Sequence, residues 1–164
     1  MDLFIRCHYL TIENMSSMKN ILVLLFISLI ALKSYSQNAE EVAIKQLLEK
    51  ESSTWRAGDV KGHADCWAIK PYSRIVVSTI DGNVIDVPPD IMLNPPTNMI
   101  GKGGTSINTN YKINISGDNA WVTHNEKSIA KDGTKSFTYE FRILEKINNQ
   151  WKLVGQSIHA YKPQ

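Results

Sequence analysis

Residues 111–160 read YKINISGDNAWVTHNEKSIAKDGTKSFTYEFRILEKINNQWKLVGQSIHA, and three short turn sequences divide them. Ser116-Gly117-Asp118-Asn119, Lys131-Asp132-Gly133-Thr134 and Ile147-Asn148-Asn149-Gln150 separate four β-branched and aromatic runs, the pattern of an antiparallel meander. Read as two-residue hairpin loops, the turns set a register. Gly117-Asp118 places Tyr111 opposite His124 and Ile113 opposite Val122. Asp132-Gly133 places Glu126 opposite Tyr139, His124 opposite Phe141 and Val122 opposite Ile143. Asn148-Asn149 places Phe141 opposite Gln156 and Ile143 opposite Val154. All three turns then agree on one face: Tyr111, Ile113, Ile115, Val122, His124, Glu126, Phe137, Tyr139, Phe141, Ile143, Val154, Gln156, Ile158 and Ala160. A slip of one residue in any hairpin moves a whole strand's side chains to the other side, so this agreement is the argument for the register. The opposite face carries Trp121, Thr138, Glu140, Arg142, Leu144, Trp151, Leu153 and His159. Its Trp121, Leu144, Trp151 and Leu153 predict an apolar outer patch suited to a homodimer.

Upstream, Ile44, Leu47, Leu48 and Trp55 recur at helical spacing between Ala39 and Ala57, with Lys45, Glu49 and Lys50 on the other side. Gly58 stops that helix and Asp59 caps a shorter one running to about Ala68, with Val60, Ala64 and Trp67 as its buried side. His63 reads as a packed helix residue. Tyr72–Ile80, the turn Asp81-Gly82-Asn83 and Val84–Val87 form a hairpin. Four prolines (Pro88, Pro89, Pro95, Pro96) and Gly101-Lys102-Gly103-Gly104 make the stretch from Pro88 to Asn110 a lid or a surface loop, because proline cannot sit in a central strand.

The N-terminus carries Lys19, the apolar run Ile21–Leu32 and Ser34-Tyr35-Ser36, which together have the form of a secretory signal cut before Gln37. Residues 1–36 are read as leader, with Met18 the better start, and residues 37–164 as one domain that is secreted or periplasmic. A dozen apolar residues fall short of the roughly 20 that span a bilayer, so no stable membrane anchor is expected after cleavage. With 18 Lys and Arg against 16 Asp and Glu, and no basic run, the composition points away from nucleic acid. Cys66 is the one cysteine after the leader, which rules out an internal disulfide in that product. It reads as a small buried apolar residue.

Two N-terminal helices, a hairpin, a long connection and a four-stranded meander ending in Asn149-Gln150-Trp151-Lys152-Leu153-Val154-Gly155 resemble the nuclear transport factor 2-like superfamily, most nearly its SnoaL-like branch. Trp55 with Gly58-Asp59, Ala120-Trp121-Val122 and Trp151-Lys152-Leu153-Val154 carry the resemblance. It implies an α+β fold in which helices pack on a curved, mainly antiparallel sheet to make a cone with an apolar pocket. It does not fix a reaction, since such folds serve isomerases, dehydratases, cyclases and non-catalytic modules.

On the expected concave face, Tyr111, His124, Glu126, Tyr139 and Gln156 are the polar exceptions, with Phe141 beside them, and a pocket needs such a convergent group to orient a ligand. Binding of a small apolar or amphipathic molecule there is the leading expectation. A second is isomerase or lyase chemistry with Glu126 as general base and His124 or Tyr139 donating to an oxyanion. A third is a non-catalytic module working through the outer face. No cofactor or metal site is expected: His124-x-Glu126 offers two ligands, and His63 and His159 do not complete a set.

Overall fold

The computed structural model describes residues 37–163, and the leader reading of residues 1–36 lies outside them. Residues 37–57 are helical (α1). The stripe Ile44, Leu47, Leu48 faces the core as the spacing predicts, with Ile44 and Leu48 fully buried, each burial contributing roughly 1.5–3 kcal/mol. Gly58, at φ +79°, ends α1 in the left-handed conformation, and Asp59 accepts from the Gly62 N–H at 2.8 Å to cap α2 (Val60–Ala64). The second helix is shorter than its sequence suggests. Val60 is exposed, and it is His63 that is buried, held between Trp55 and Trp67 with ring centroids 4.9 and 6.3 Å away. Trp67 lies beyond the helix, in a bridge to Leu153. Cys66 is fully buried and burial pushes its thiol up to about 11, so it packs as a small apolar group.

Strands β1 (Ile75–Ser78), β2 (Val84–Val87), β3 (Thr105–Ser116), β4 (Asn119–Ile129), β5 (Lys135–Ile147) and β6 (Gln150–Ala160) form one curved sheet in the order β2-β1-β6-β5-β4-β3. Every pairing is antiparallel except β1 with β6. The β1–β2 hairpin and the meander are as expected; the parallel junction joins them.

The register departs from the sequence reading at one turn. Ala130 N–H donates to the Thr134 carbonyl at 2.9 Å and Gly133 N–H to Ala130 at 3.0 Å, with Gly133 at φ +84°, so the loop holds three residues, Lys131, Asp132 and Gly133. This is the type I turn plus left-handed glycine, the other solution open to an Asp-Gly turn. The extra residue pairs Glu126 with Thr138, His124 with Glu140 and Val122 with Arg142. Strand β5 is therefore turned over. Thr138, Glu140, Arg142 and Leu144 face the helices, whereas Tyr139 (42% exposed), Ile143 (44%) and the half-buried Phe141 lie on the outer face. The Asn148-Asn149 turn has the expected two-residue form, with positive φ at both residues, and carries the inversion into β6. Leu153 and Leu144 are fully buried and Trp151 nearly so, all in the core with Ile44 and Leu48, which removes three of the four residues expected on a dimer patch. A bulge at Val154, where the pairing steps from Leu144–Leu153 to Ile143–Gly155, then returns Gln156 and Ile158 to the inner face. Two offsets cancel there. A second bulge in β3, between Thr109 and Lys112, leaves Tyr111 stacked on His124 at 5.2 Å.

The proline-rich connection contains a 3-10 turn (Pro89–Met92) and ends where β3 begins at Thr105, so residues 105–110 are strand. Gly101 and Gly103 donate to the carbonyls of Trp55 and Arg56 at 3.0 and 2.9 Å. The backbones of Gly58 and Gly101 meet so closely that a Cβ on Gly58 would stand 3.1 Å from the Gly101 Cα. Met92 and Ile100 are buried, which fastens this segment over the inner face. Among the described residues no helix is long and apolar enough to cross a membrane.

Candidate functional site

Four elements converge on a cavity of about 200 Å³. α1 supplies Glu51, Ser52 and Trp55, one turn beyond Leu47 and Leu48 on the same stripe. Alternation along β4, β5 and β6 supplies Glu126, then Glu140 and Arg142, then Gln156 and Ile158. The walls are completed by Ile75, Val77, Val87, Met92 and Met99.

The charged residues fall into two hydrogen-bonded groups. In the first, Glu126 accepts from Ser52 Oγ at 2.8 Å, Ser128 Oγ at 2.6 Å and Arg56 Nη1 at 3.2 Å. Arg56 also contacts Ser52 and Ser106. In the second, Arg142 donates through Nε to Glu140 Oε2 at 2.8 Å, pairs with the same carboxylate through Nη2 and with Gln156 Oε1 through Nη1. Thr138 Oγ1 donates to Glu140 at 2.9 Å, and His124 Nε2 stands 3.4 Å from it. Both guanidiniums are thus committed to carboxylates, the arrangement that makes a buried charge tolerable.

Glu51 is held more loosely. Its oxygens stand 3.6 Å from Arg142 Nη1 and 3.7 Å from His63 Nδ1, both longer than a hydrogen bond. Burial pushes its carboxyl up to about 7, with Arg142, and less strongly the Trp67 indole N–H, opposing the rise and Glu140 and Glu126 adding to it. Burial also raises Glu140, but Arg142, then His124 and Thr138, outweigh it and hold that carboxyl below its ordinary range. Burial lowers His63 and His124, favouring the neutral rings. For Arg142 the cost of burial is exceeded by Glu140 and Glu51, so it stays charged. Gln156 Nε2 donates to the Met92 thioether at 3.8 Å, a weak acceptor. Among the described residues no group of three or more His, Cys, Asp or Glu is placed to hold a metal ion.

No protein-family model matches this sequence, and no curated protein does. Solved structures do match in shape. A protein of the NTF2-like family from Streptomyces avermitilis aligns with TM-score 0.63 at 12% identity, over 77% of this chain and 99% of its own. An NTF2-like protein of unknown function from Silicibacter pomeroyi aligns with TM-score 0.60 at 13% identity, over 76% and 98%. One from Shewanella baltica aligns with TM-score 0.54 at 18% identity, over 76% and 96%. The chain has the NTF2-like fold.

Within this NTF2-like fold the expected site residues separate. Glu126 and Gln156 line the cavity, and His124 backs it behind Glu140, with Tyr111 stacked on its far side. Tyr139 does not join them. It lies on the outer face opposite Asn125 and His159, and Phe141 stacks there on Trp121 at 6.2 Å. Glu140 and Arg142, assigned to the outer face by the two-residue reading of Asp132-Gly133, are the buried ion pair at the cavity floor. Glu51, Ser52 and Arg56 are absent from the sequence-derived set. The signal was positional: Glu51 falls seven residues after Ile44, three after Leu48 and four before Trp55, on the stripe that faces the core.

Proposed function

We propose that this NTF2-like domain binds a small amphipathic molecule in the cavity between α1 and the sheet. The observation that carries the reading is the cavity's composition. Ile75, Val77, Val87, Met92 and Ile158 give it apolar walls, and Glu51, Arg142 and Gln156 converge at one end. At about 200 Å³ it is the size of a small organic molecule. An open groove of about 540 Å³, lined by Phe137, Ala160 and Tyr161, shares Val77 and Ile158 with the cavity and offers an apolar tail a way out.

Acid–base chemistry is a weaker reading, and it moves from Glu126 to Glu51. Glu126 is already occupied, accepting from Ser52, Ser128 and Arg56, whereas Glu51 makes no such set of contacts. A second copy on the outer face is favoured by one observation: Trp121, Tyr139 and Ile143 are all more than 40% exposed on adjacent strands. Export through the leader, placing the domain outside the cytoplasm, completes the proposal; N-terminal sequencing of the mature protein should begin at Gln37.

Native mass spectrometry of the purified chain tests the ligand. A retained small mass is expected, and Val77→Trp or Ile158→Trp, which fill the cavity mouth, should lose it while keeping the circular dichroism of the parent. A retained mass that persists in both filled variants, or none from any preparation together with no thermal shift across a library of small amphiphiles, overturns the reading.

A further inference from the structure

We propose that the ligand's polar end is a cation, a small alkylammonium whose head sits between Glu51 and Trp55 and whose chain lies along Ile75, Val77 and Ile158. This rests on the binding reading above and names its chemical class. The argument is one of charge. Three carboxylates, Glu51, Glu126 and Glu140, line the cavity, while Arg142 is its one lining cation and Arg56 stands behind Glu126. Arg142 is engaged through Nε and Nη2 by Glu140 and through Nη1 by Gln156, and Arg56 by Glu126, Ser52 and Ser106. Neither guanidinium has a free edge for an anion. That pairing leaves Glu51 over, 6% exposed, with its one charged neighbour, Arg142 Nη1, at 3.6 Å, longer than a hydrogen bond, and the neutral His63 ring at 3.7 Å.

An anion entering here would meet Glu126 and Glu140 and would force Glu51 to take up a proton. A cation instead supplies the missing counter-charge. The remaining lining suits it as well, because Trp55 presents an aromatic ring one helical turn from Glu51 and Met92 and Met99 present polarisable thioethers. The titratable and charged groups facing Glu51 are His63 from α2, Glu126 from β4, and Glu140 and Arg142 from β5, with His124 of β4 behind Glu140. Burial keeps both histidines neutral near pH 7, so neither offers a competing positive charge. Glu51, poised at about 7, then sets the pH dependence: its ionised fraction rises about tenfold between pH 6 and pH 8, and cation binding follows it.

Isothermal titration calorimetry of the whole chain with n-butylammonium, 1-butanol and butyrate at pH 6 and pH 8 tests this. Butylammonium should bind tightest, gain about tenfold in affinity from pH 6 to pH 8, and release protons at pH 6. Glu51→Gln should weaken it at least tenfold at pH 8 and abolish the pH dependence. Butyrate or butanol binding as tightly as the amine at pH 8, or amine affinity independent of pH, overturns the inference, and both readouts come from the unmutated protein. If butanol or butyrate binds and is expelled by Val77→Trp, the cavity remains a ligand site and the cation assignment alone falls. If no probe binds and native mass spectrometry shows no retained mass, the binding reading falls with it.

Discussion

Glu51 and Glu140 line one cavity and are driven in opposite directions, which separates their effects on stability. Burial raises Glu51 in the fold to about 7 from 4.5, so the folded state holds its proton more tightly than the unfolded chain does. The stabilisation is complete below the unfolded value, is lost as pH rises toward 7, and costs about 3 kcal/mol of linkage over that window. Glu51→Gln should therefore flatten urea-derived stability between pH 5 and pH 8 and leave the variant more stable than the parent at pH 8. Parallel stability curves for the two proteins would contradict it. Glu140 acts on the acid side: held low by Arg142, its carboxylate stabilises the fold above the ordinary range, and that contribution disappears as pH falls through its lowered value. Arg142→Met strands this carboxylate in a site only 3% exposed and should cost about 3–5 kcal/mol. Pairing it with Glu140→Leu should recover most of that loss in equilibrium unfolding, because the stranded carboxylate is gone and Glu51, without Arg142 to oppose its rise, takes up a proton.

At the scale of elements, strand β5 carries the outcome. Its two faces, Phe137-Tyr139-Phe141-Ile143 and Thr138-Glu140-Arg142-Leu144, are each partly apolar, so hydrophobic alternation does not choose between them. Packing chooses. With the three-residue loop, Leu144 and Leu153 both reach Ile44 and Leu48, and Arg142 meets Glu140 and Gln156 on the same inner face. Leu153→Ala should accordingly cost about 2–5 kcal/mol in chemical denaturation, whereas Ile143→Ala, on the outer face, should stay within about 1 kcal/mol. Equal losses would restore the register read from the sequence. Gly133→Ala, with open space around the added methyl but φ at +84°, should cost about 1–2 kcal/mol through backbone strain alone. The Asn148-Asn149 and Gly117-Asp118 loops were legible because their pairings admit one loop length. Asp132-Gly133 fits two, and the letters do not separate them. The bulge at Val154 left one trace in the sequence, a glycine at 155 inside an otherwise continuous strand.

Over the whole molecule, inverting β5 exchanges what the two sides of the sheet can do. The inner side gains a charged cavity floor, and the outer side keeps Trp121 while exchanging Leu144, Trp151 and Leu153 for Tyr139, Phe141 and Ile143. The proposed dimer therefore rests on different residues. Trp121→Ala combined with Ile143→Glu should convert a dimer to a monomer in sedimentation velocity without shifting the thermal midpoint by more than a few degrees, since neither side chain is in the core. A monomeric parent, or a double variant that still sediments as a dimer, removes that face from consideration. Sequence alone determined the helical stripe of α1, the Asp59 cap, the number and positions of the meander turns, the α+β class, and the inward direction of His124 and Glu126. Each follows from local propensity or from a turn with one solution. Only the tertiary structure decided which face of β5 looks inward, and with it the Glu140–Arg142 pair and the cavity around Glu51. A single residue of loop length inverts every side chain on a strand, and the energy that selects the length comes from core contacts distant in the chain.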